Sequence, residues 1–405
     1  MKEIKVVIGA NFGDEGKGLM TDYFCGRLGG RVLNVRFNGT SQAGHTVIRD
    51  GRRHVFSHFG AGSFNHGVAT YLSSEFYFNP IKFFEELEKL NQMDVNPEVY
   101  ICRDSEAVTI YDILFNCIIE TARGRNRHGS CGAGLWEALN RKRAGYKLTA
   151  EDMNRDRDYV MGRLIEIRDI YYADRFKQMQ IEFGECNEWY EVWNSENALN
   201  NYLDMFFCMK GQVSVVDEKE ILNSFEKQVF EGAQGLLLDY DNRAYMPNLT
   251  ASYTGSKNVA KLLEKLEGEA DVEICYVTRT YFTRHGAGRF ETETKKPKLD
   301  EVSPNELQEE TNVTNRWQGE FRWGYFDRKL FCSTVTGDFE KMSDTEVIHI
   351  KRSVAFTHAD ITGGYLLEEK KNTAISEFYR EIAPLFENYY ECCGKTADGV
   401  IRRGQ

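Results

Sequence analysis

The sequence predicts an α/β protein with a large, mostly parallel central sheet, helices on both faces and a P-loop-like phosphate loop. Three observations predict it. The β-branched run Ile4-Lys5-Val6-Val7-Ile8 ends at Gly9 and leads into a glycine-rich, then helix-favouring segment. A second run over 31–37 ends in a small-residue polar loop at 38–46. Further strand-like runs at 99–102, 228–230, 272–278 and 353–357 alternate with helical stretches such as 81–91 and 256–266, the order of parallel strands joined by crossover helices.

Residues 147–226 are rich in charge and aromatics and contain no phosphate-like loop, so a helical insertion is expected there. With only six prolines and no repeat or low-complexity tract, residues 1–405 read as one domain with insertions. The formal charge of −11 disfavours nucleic acid or an anionic membrane as partner, because both attract clustered Lys and Arg. No run of about twenty apolar residues occurs, which disfavours a membrane span. Ten cysteines without a C-x-x-C pair, and no leader-like apolar stretch, point to reduced thiols and a cytoplasmic protein.

The chemistry-bearing segments follow strands. In 13–18, GDEGKG, the glycines leave backbone N–H groups open and Lys17 adds charge for phosphate, at the positive end of a helix. Asp14 and Glu15 beside phosphate call for a Mg²⁺ or a proton to abstract. The spacing is not that of the common P-loop, and a glycine turn capped by solvated acids is the plain alternative. Gly44-His45-Thr46 supplies an imidazole and a hydroxyl suited to a phosphoryl or oxyanion centre, although a lone histidine is commonly a hydrogen-bonded core group. His54 and His58 have an i, i+4 spacing that suggests metal, but they lie in a strand-like stretch. The amide of Gln234, in 231–235, can donate to and accept from a base or phosphate; the alternative is a tight turn. Asp360, ending Thr357-His358-Ala359-Asp360, can accept two hydrogen bonds from guanine, or simply cap a turn.

Taken in order, GDEGKG, AGHT (43–46), EGAQG-x-LLD (231–239) and TR-x-GAG-x-F-x-TE (283–293) resemble the adenylosuccinate synthetase family across most of the chain. The resemblance implies a homodimeric parallel-sheet ligase. Such an enzyme joins L-aspartate to C6 of a purine nucleoside monophosphate through a 6-phosphoryl intermediate, with Mg²⁺ and a nucleoside triphosphate. By the same resemblance Asp14 is the base at purine N1 and a Mg²⁺ ligand, His45 assists phosphoryl transfer, and Lys17 holds phosphate. Gly13, Asp14, Glu15, Gly16, Lys17, Gly18 and Leu19, with Gly44, His45 and Thr46, would surround the triphosphate, and the Gly44 carbonyl would be a second Mg²⁺ ligand. Asp14, Gln42, Ala43, Ser130, Gln234 and Thr250 would contact the purine monophosphate, completed by an arginine of the partner subunit, Arg141 or Arg143.

Three departures bear on substrate. Gln42 stands where the family motif has asparagine before AGHT. The aspartate loop, arginine-rich in the family, is thinned here to Thr311, Asn312, Val313 and Thr314 with Arg316 and Arg322. With Gly129-Ser130-Cys131-Gly132, this is similar to the phage branch that uses dGMP in place of IMP and makes N6-succino-2-amino-2′-deoxyadenylate, a precursor of 2-aminoadenine DNA. A phage origin would place the protein in the host cytoplasm. Asp14 itself is a counter-observation, since many members of that branch carry serine there. Retained Asp360 favours GTP, while His358 in place of lysine leaves ATP or dATP open, and residues 394–396 are expected beside the base. An IMP-using synthetase is the alternative enzyme, and a GTP-binding switch module is the alternative of another class.

Overall fold

The computed structural model describes residues 1–124, 132–184, 187–294, 319–342 and 347–403. In chain order its first strands are β1 (Lys2–Gly9), β2 (Val32–Arg36), the hairpin β3 (His45–Arg49) and β4 (Arg52–Phe56), β5 (Val68–Leu72), β6 (Val99–Cys102), β7 (Ser214–Val216), β8 (Lys227–Gly235) and β9 (Ala270–Arg279). There follow β10 (Phe282–His285), β11 (Glu293–Thr294) and β12 (Phe321–Gly324), which pair as a small antiparallel sheet, then β13 (Ile348–Thr357). The pair β14 (Tyr365–Leu366) and β15 (Thr373–Ala374) precedes β16 (Asn388–Cys392) and β17 (Val400–Arg403). Ten strands form one sheet in the order β17-β16-β13-β9-β1-β8-β2-β5-β6-β7, and every pairing in it is parallel except β16 with β17.

The alternation of β1 shows why its run is largely apolar. Ile4, Val6 and Ile8 enter one core, which also takes Val259 and Leu262 of the helix Ser256–Leu263 and Phe331 of the helix Arg328–Phe339. Val7 enters the opposite core with Met20, Phe24 and Cys25 of the helix Lys17–Leu28. A strand covered on both faces is apolar on both, and its interior charge, Lys5, is paired with Glu273 of β9 at 3.1 Å. The expected helix at 81–91 is Pro80–Asn91, started by Pro80 and capped by the Asn79 side chain, which accepts from the Ile81 and Lys82 N–H groups. The one expected over 256–266 stops at Leu263, where the last turn tightens through Lys265 N–H to Leu262 and Leu266 N–H to Leu263.

Residues 147–226 hold the helices Arg157–Glu166, Ala173–Gln178 and Glu196–Met209, but the segment is not helical throughout. It also contains β7, the edge strand of the main sheet. Its apolar core, with Val160, Leu164, Tyr172, Trp193 and Phe206, is shared with Tyr111, Phe115 and Ile118 of the earlier helix Ile110–Arg123. The helical body therefore reaches back before residue 147. No described helix is long and apolar enough to cross a membrane, and no disulfide joins the described cysteines.

Candidate active site

Parallel strands deliver their following loops to one edge, and here the carboxyl ends of β1, β8, β9 and β13 lie side by side: Gly9 pairs with Gly235 and Val277, and Arg279 with Thr357. The β1 loop turns through left-handed backbone at Gly13 (φ 96°), Asp14 (φ 60°) and Gly16 (φ 96°). Gly16 is the N-cap of the helix Lys17–Leu28, and no side chain caps that end, so its first N–H groups stay open to an anion. A Cβ on Gly18 would stand 2.9 Å from the Cβ of His45, so glycine is what lets this helix approach β3.

Glu15 is buried and braces the loop from inside. Its Oε1 accepts from the N–H groups of Asn11 (3.0 Å) and Gly13 (2.7 Å), and its Oε2 lies 2.9 Å from the equally buried Lys17 Nζ. Outside, Arg279 Nε donates to the Asp14 carbonyl at 2.6 Å and the Thr357 hydroxyl to the Glu15 carbonyl at 2.7 Å. The Asp14 carboxylate has no hydrogen-bond partner among the described residues. Burial pushes its pKa up, against the pull of Lys17 and Arg279, so it is a stronger base than a surface aspartate.

His45, at the start of β3, is buried and hydrogen-bonds through Nδ1 to Oε1 of Glu231 in β8, whose Oε2 accepts from the Ala61 N–H at 2.9 Å. Burial lowers the His45 pKa although Glu231 opposes it, so the imidazole is neutral at pH 7. A carboxylate at Nδ1 assigns the proton to that nitrogen and leaves Nε2 available. Burial also works to raise the Glu231 pKa, but the Arg36 charge and His45 hold it below the ordinary value. Glu231 was legible only as part of a small-residue motif; its partnership with His45, 186 positions away in the chain, leaves no local signal.

The β8 strand bulges after Glu231, and Gln234 sits there in left-handed backbone (φ 65°) with the Gly13 Cβ direction 3.7 Å from its Oε1. Asn38 holds the bulge by donating to the Ala233 carbonyl (3.0 Å) and accepting from its N–H (2.7 Å), a brace that sequence reasoning did not single out. Gln42 Nε2 donates to the Thr250 hydroxyl at 2.9 Å, so the two expected monophosphate contacts meet. Gly44 is exposed, Leu19 and Thr46 half-buried, and Ala43 buried.

Other expectations fare differently. Arg141 cannot reach a partner subunit: it is fully buried, paired with Asp112 and Glu106, and donates to the carbonyls of Ala107 and Tyr146. Arg143 is exposed and donates to the Tyr240 hydroxyl at 2.6 Å. Arg322 does not present a free fork to a dicarboxylate, because Nε, Nη1 and Nη2 are engaged by the Gly286 carbonyl, Glu293 and the Gly288 carbonyl. Asp360 is exposed, and His358 has left-handed backbone (φ 62°); burial, with Arg279 and Lys395 nearby, lowers its pKa well below the ordinary value. His54 and His58 serve structure: the first contacts Glu86 at 3.4 Å, the second accepts from the Asn79 N–H at 2.8 Å. Ser130, Thr311, Asn312, Val313, Thr314 and Arg316 lie outside the described residues.

A parallel sheet whose strand ends gather a glycine-rich loop at an uncapped helix N-terminus, the Asp14 carboxylate and a carboxylate-oriented imidazole has the site architecture of α/β nucleotide-handling enzymes. Comparison with known proteins gives the family. The model of the adenylosuccinate synthetase family matches residues 6–395, and the chain belongs to that family, whose members are C–N-forming ligases. Among curated relatives, the adenylosuccinate synthetase of Mesoplasma florum is 30% identical over 304 residues, 72% of this chain and 66% of that protein, so the matched part spans about two thirds of the relative's length. That of Psychrobacter arcticus is 26% identical over 399 residues, 94% of this chain and 85% of that protein. Two solved structures share the fold at 17% identity. The fully ligated adenylosuccinate synthetase of Plasmodium falciparum has a TM-score of 0.74 with 98% of this chain and 99% of that one covered. The succinoaminodeoxyadenylate synthetase of cyanophage S-2L, bound to dGMP and dATP, has a TM-score of 0.60 with 99% and 95% covered.

Proposed function

We propose that this protein is a Mg²⁺- and nucleoside-triphosphate-dependent ligase that joins L-aspartate to C6 of a purine nucleoside monophosphate, with dGMP favoured over IMP. The observation that carries the reaction is the convergence of the Asp14, Lys17, Glu231–His45 and Gln234 groups on one sheet edge. The Asp14 carboxylate, made more basic by burial, takes the N1 proton, and the C6 oxygen attacks the terminal phosphorus of the triphosphate, expelling the nucleoside diphosphate. Lys17 and the open N–H groups at Gly16 and beyond hold the phosphates in line. His45 Nε2 faces the transferred phosphoryl group, and Glu231 stabilises positive charge on the ring when it takes up a proton. The aspartate amine then displaces phosphate from C6.

The donor set fits Mg²⁺, which takes one or two protein oxygens beside substrate phosphates; the residues that would hold it are the Asp14 carboxylate, unpartnered among the described residues, and the exposed Gly44 carbonyl. Bound there, Mg²⁺ would neutralise charge on the triphosphate. Gln42, Gln234, Thr250 and Arg143 of a partner subunit serve the monophosphate, Asp360 and His358 the triphosphate base, with GTP favoured over ATP or dATP, and the working unit is a homodimer.

The preference for dGMP rests on the long Gln42 side chain beside Thr250 and on the thinned arginine content of 311–322. Phosphate release with GTP, Mg²⁺ and aspartate, measured with dGMP and with IMP in turn, tests both parts. Turnover with dGMP and little with IMP is expected. Turnover with IMP alone assigns the ordinary adenylosuccinate synthetase activity instead, and triphosphate hydrolysis independent of aspartate and purine removes the ligase reading.

A further inference from the structure

We propose that Arg36 is a positioning residue of the ligation reaction: from inside the sheet it fixes the loop and the carboxylate that together hold His45. Arg36 ends β2 and is completely buried. In the parallel pairing of β2 with β8 its Cα partner is Glu231, the carboxylate that binds His45 Nδ1. Its Nη1 donates to the carbonyls of Ser57 (2.9 Å) and Phe59 (3.1 Å). Two residues further on, the same loop gives the Ala61 N–H that binds the other Glu231 oxygen at 2.9 Å. An unbroken chain of contacts therefore runs from Arg36 through 57–61 to Glu231 and on to His45.

A purely structural guanidinium would be expected to satisfy its donors. Among the described residues, Nε and Nη2 of Arg36 are buried without a hydrogen-bond partner, an unfavourable arrangement for so strong a donor group. The Phe76 ring, 5.2 Å away, is its remaining cation contact. What the arrangement gains is a fixed positive charge, one strand from Glu231 and close enough to act on both Glu231 and His45. Further charged or titratable groups that act on this pair include Lys17 and Cys25, both on the helix Lys17–Leu28. Neither bonds the 57–61 loop, so neither can replace Arg36 in holding it.

The inference rests on the reading that His45 serves the phosphoryl step. Asn at position 45 tests that reading separately: an H45N variant with wild-type turnover removes the premise, whatever Arg36 does. The inference itself is tested with R36Q, R36K, E231Q and the R36Q/E231Q pair, assayed by phosphate release with whichever of dGMP or IMP supports wild-type turnover. R36Q should lower kcat by about tenfold or more, as loss of outer groups that orient a reacting side chain does. KM for triphosphate and aspartate should change by less than about threefold, because no ligand contact is removed. R36K, which keeps the charge, should recover most of the loss. Because Arg36 acts through Glu231, R36Q should add little to E231Q. A folded R36Q enzyme with wild-type kcat, or losses that multiply in the double variant, would overturn the inference. Should R36Q not fold, R36K carries the same cycle: its smaller loss must vanish on the E231Q background, and a loss persisting there is equally decisive against.

Discussion

Lys17 Nζ lies 2.9 Å from Glu15 Oε2 with both side chains buried, so the phosphate loop carries its own internal ion pair. Removing one partner of such a pair leaves an uncompensated charge and costs about 3–5 kcal/mol. Glu15→Gln should therefore lower the apoprotein's melting temperature markedly. A triphosphate with Mg²⁺ offers Lys17 another anion, so the nucleotide-induced rise in melting temperature should be larger in the variant than in the wild type. Calorimetry of both proteins with and without GTP measures this, and equal rises would show that Lys17 does not meet the phosphates.

Asp14 combines two costs. Its φ of 60° is tolerated by Asp and Asn better than by most residues, and burial raises its pKa. For a carboxyl whose folded pKa lies above its unfolded one, the folded state binds the proton more tightly. Stability then rises as pH falls through the folded value, and the ionised form at neutral pH is a burden. Asp14→Asn keeps the backbone preference and removes that burden. It should raise the melting temperature at pH 7 while lowering ligation by roughly 10²–10⁴-fold, the usual contribution of a general base. A variant both less stable and fully active would contradict this assignment.

The two arginines at the end of the helix Leu135–Arg143 separate structure from function. Arg141→Met leaves Asp112 and Glu106 buried without their partner and should destabilise the fold by about 3–5 kcal/mol in urea titration. Arg143→Ala loses an exposed contact with Tyr240 and should change stability by less than about 1 kcal/mol, while raising KM for the purine monophosphate in the dimer. Unaltered KM would remove Arg143 from the site.

Strands were legible where apolar residues dominate a run buried on both faces, as in β1 and β9, although β5, buried at every position, was not singled out. Short edge strands such as β7, with one exposed and two half-buried residues, carry no such run and were absorbed into the helical segment. The loop 13–18 and Gln234 were legible because glycines crowd together there for a reason of backbone geometry. Side-chain partnerships were not. Nothing local tells Arg141 from Arg143, which differ only in the face of one helix they occupy, or shows that Arg322 folds back on Glu293. Likewise the pairing of Glu231 with His45 and Arg36 exists only once β2 and β8 lie side by side.

The hydrogen bond from Gln42 Nε2 to the Thr250 hydroxyl joins the loop after β2 to the segment after β8, across 208 positions of chain. It ties the loop that bears Ala43 and Gly44 to the expected monophosphate contact. Thr250→Val keeps the shape and removes the acceptor of this bond. The net worth of such a bond is about 0.5–1.5 kcal/mol, so KM for the monophosphate should rise by up to about tenfold. If the pair only binds ground state and transition state alike, kcat is unchanged. Gln42→Asn withdraws the donor by one methylene and should act in the same direction. In the double variant the two losses should not add, because each removes the same bond. Should Gln42→Asn instead improve IMP over dGMP, the glutamine reads the purine and not only the loop; steady-state kinetics with both nucleotides distinguishes the two outcomes.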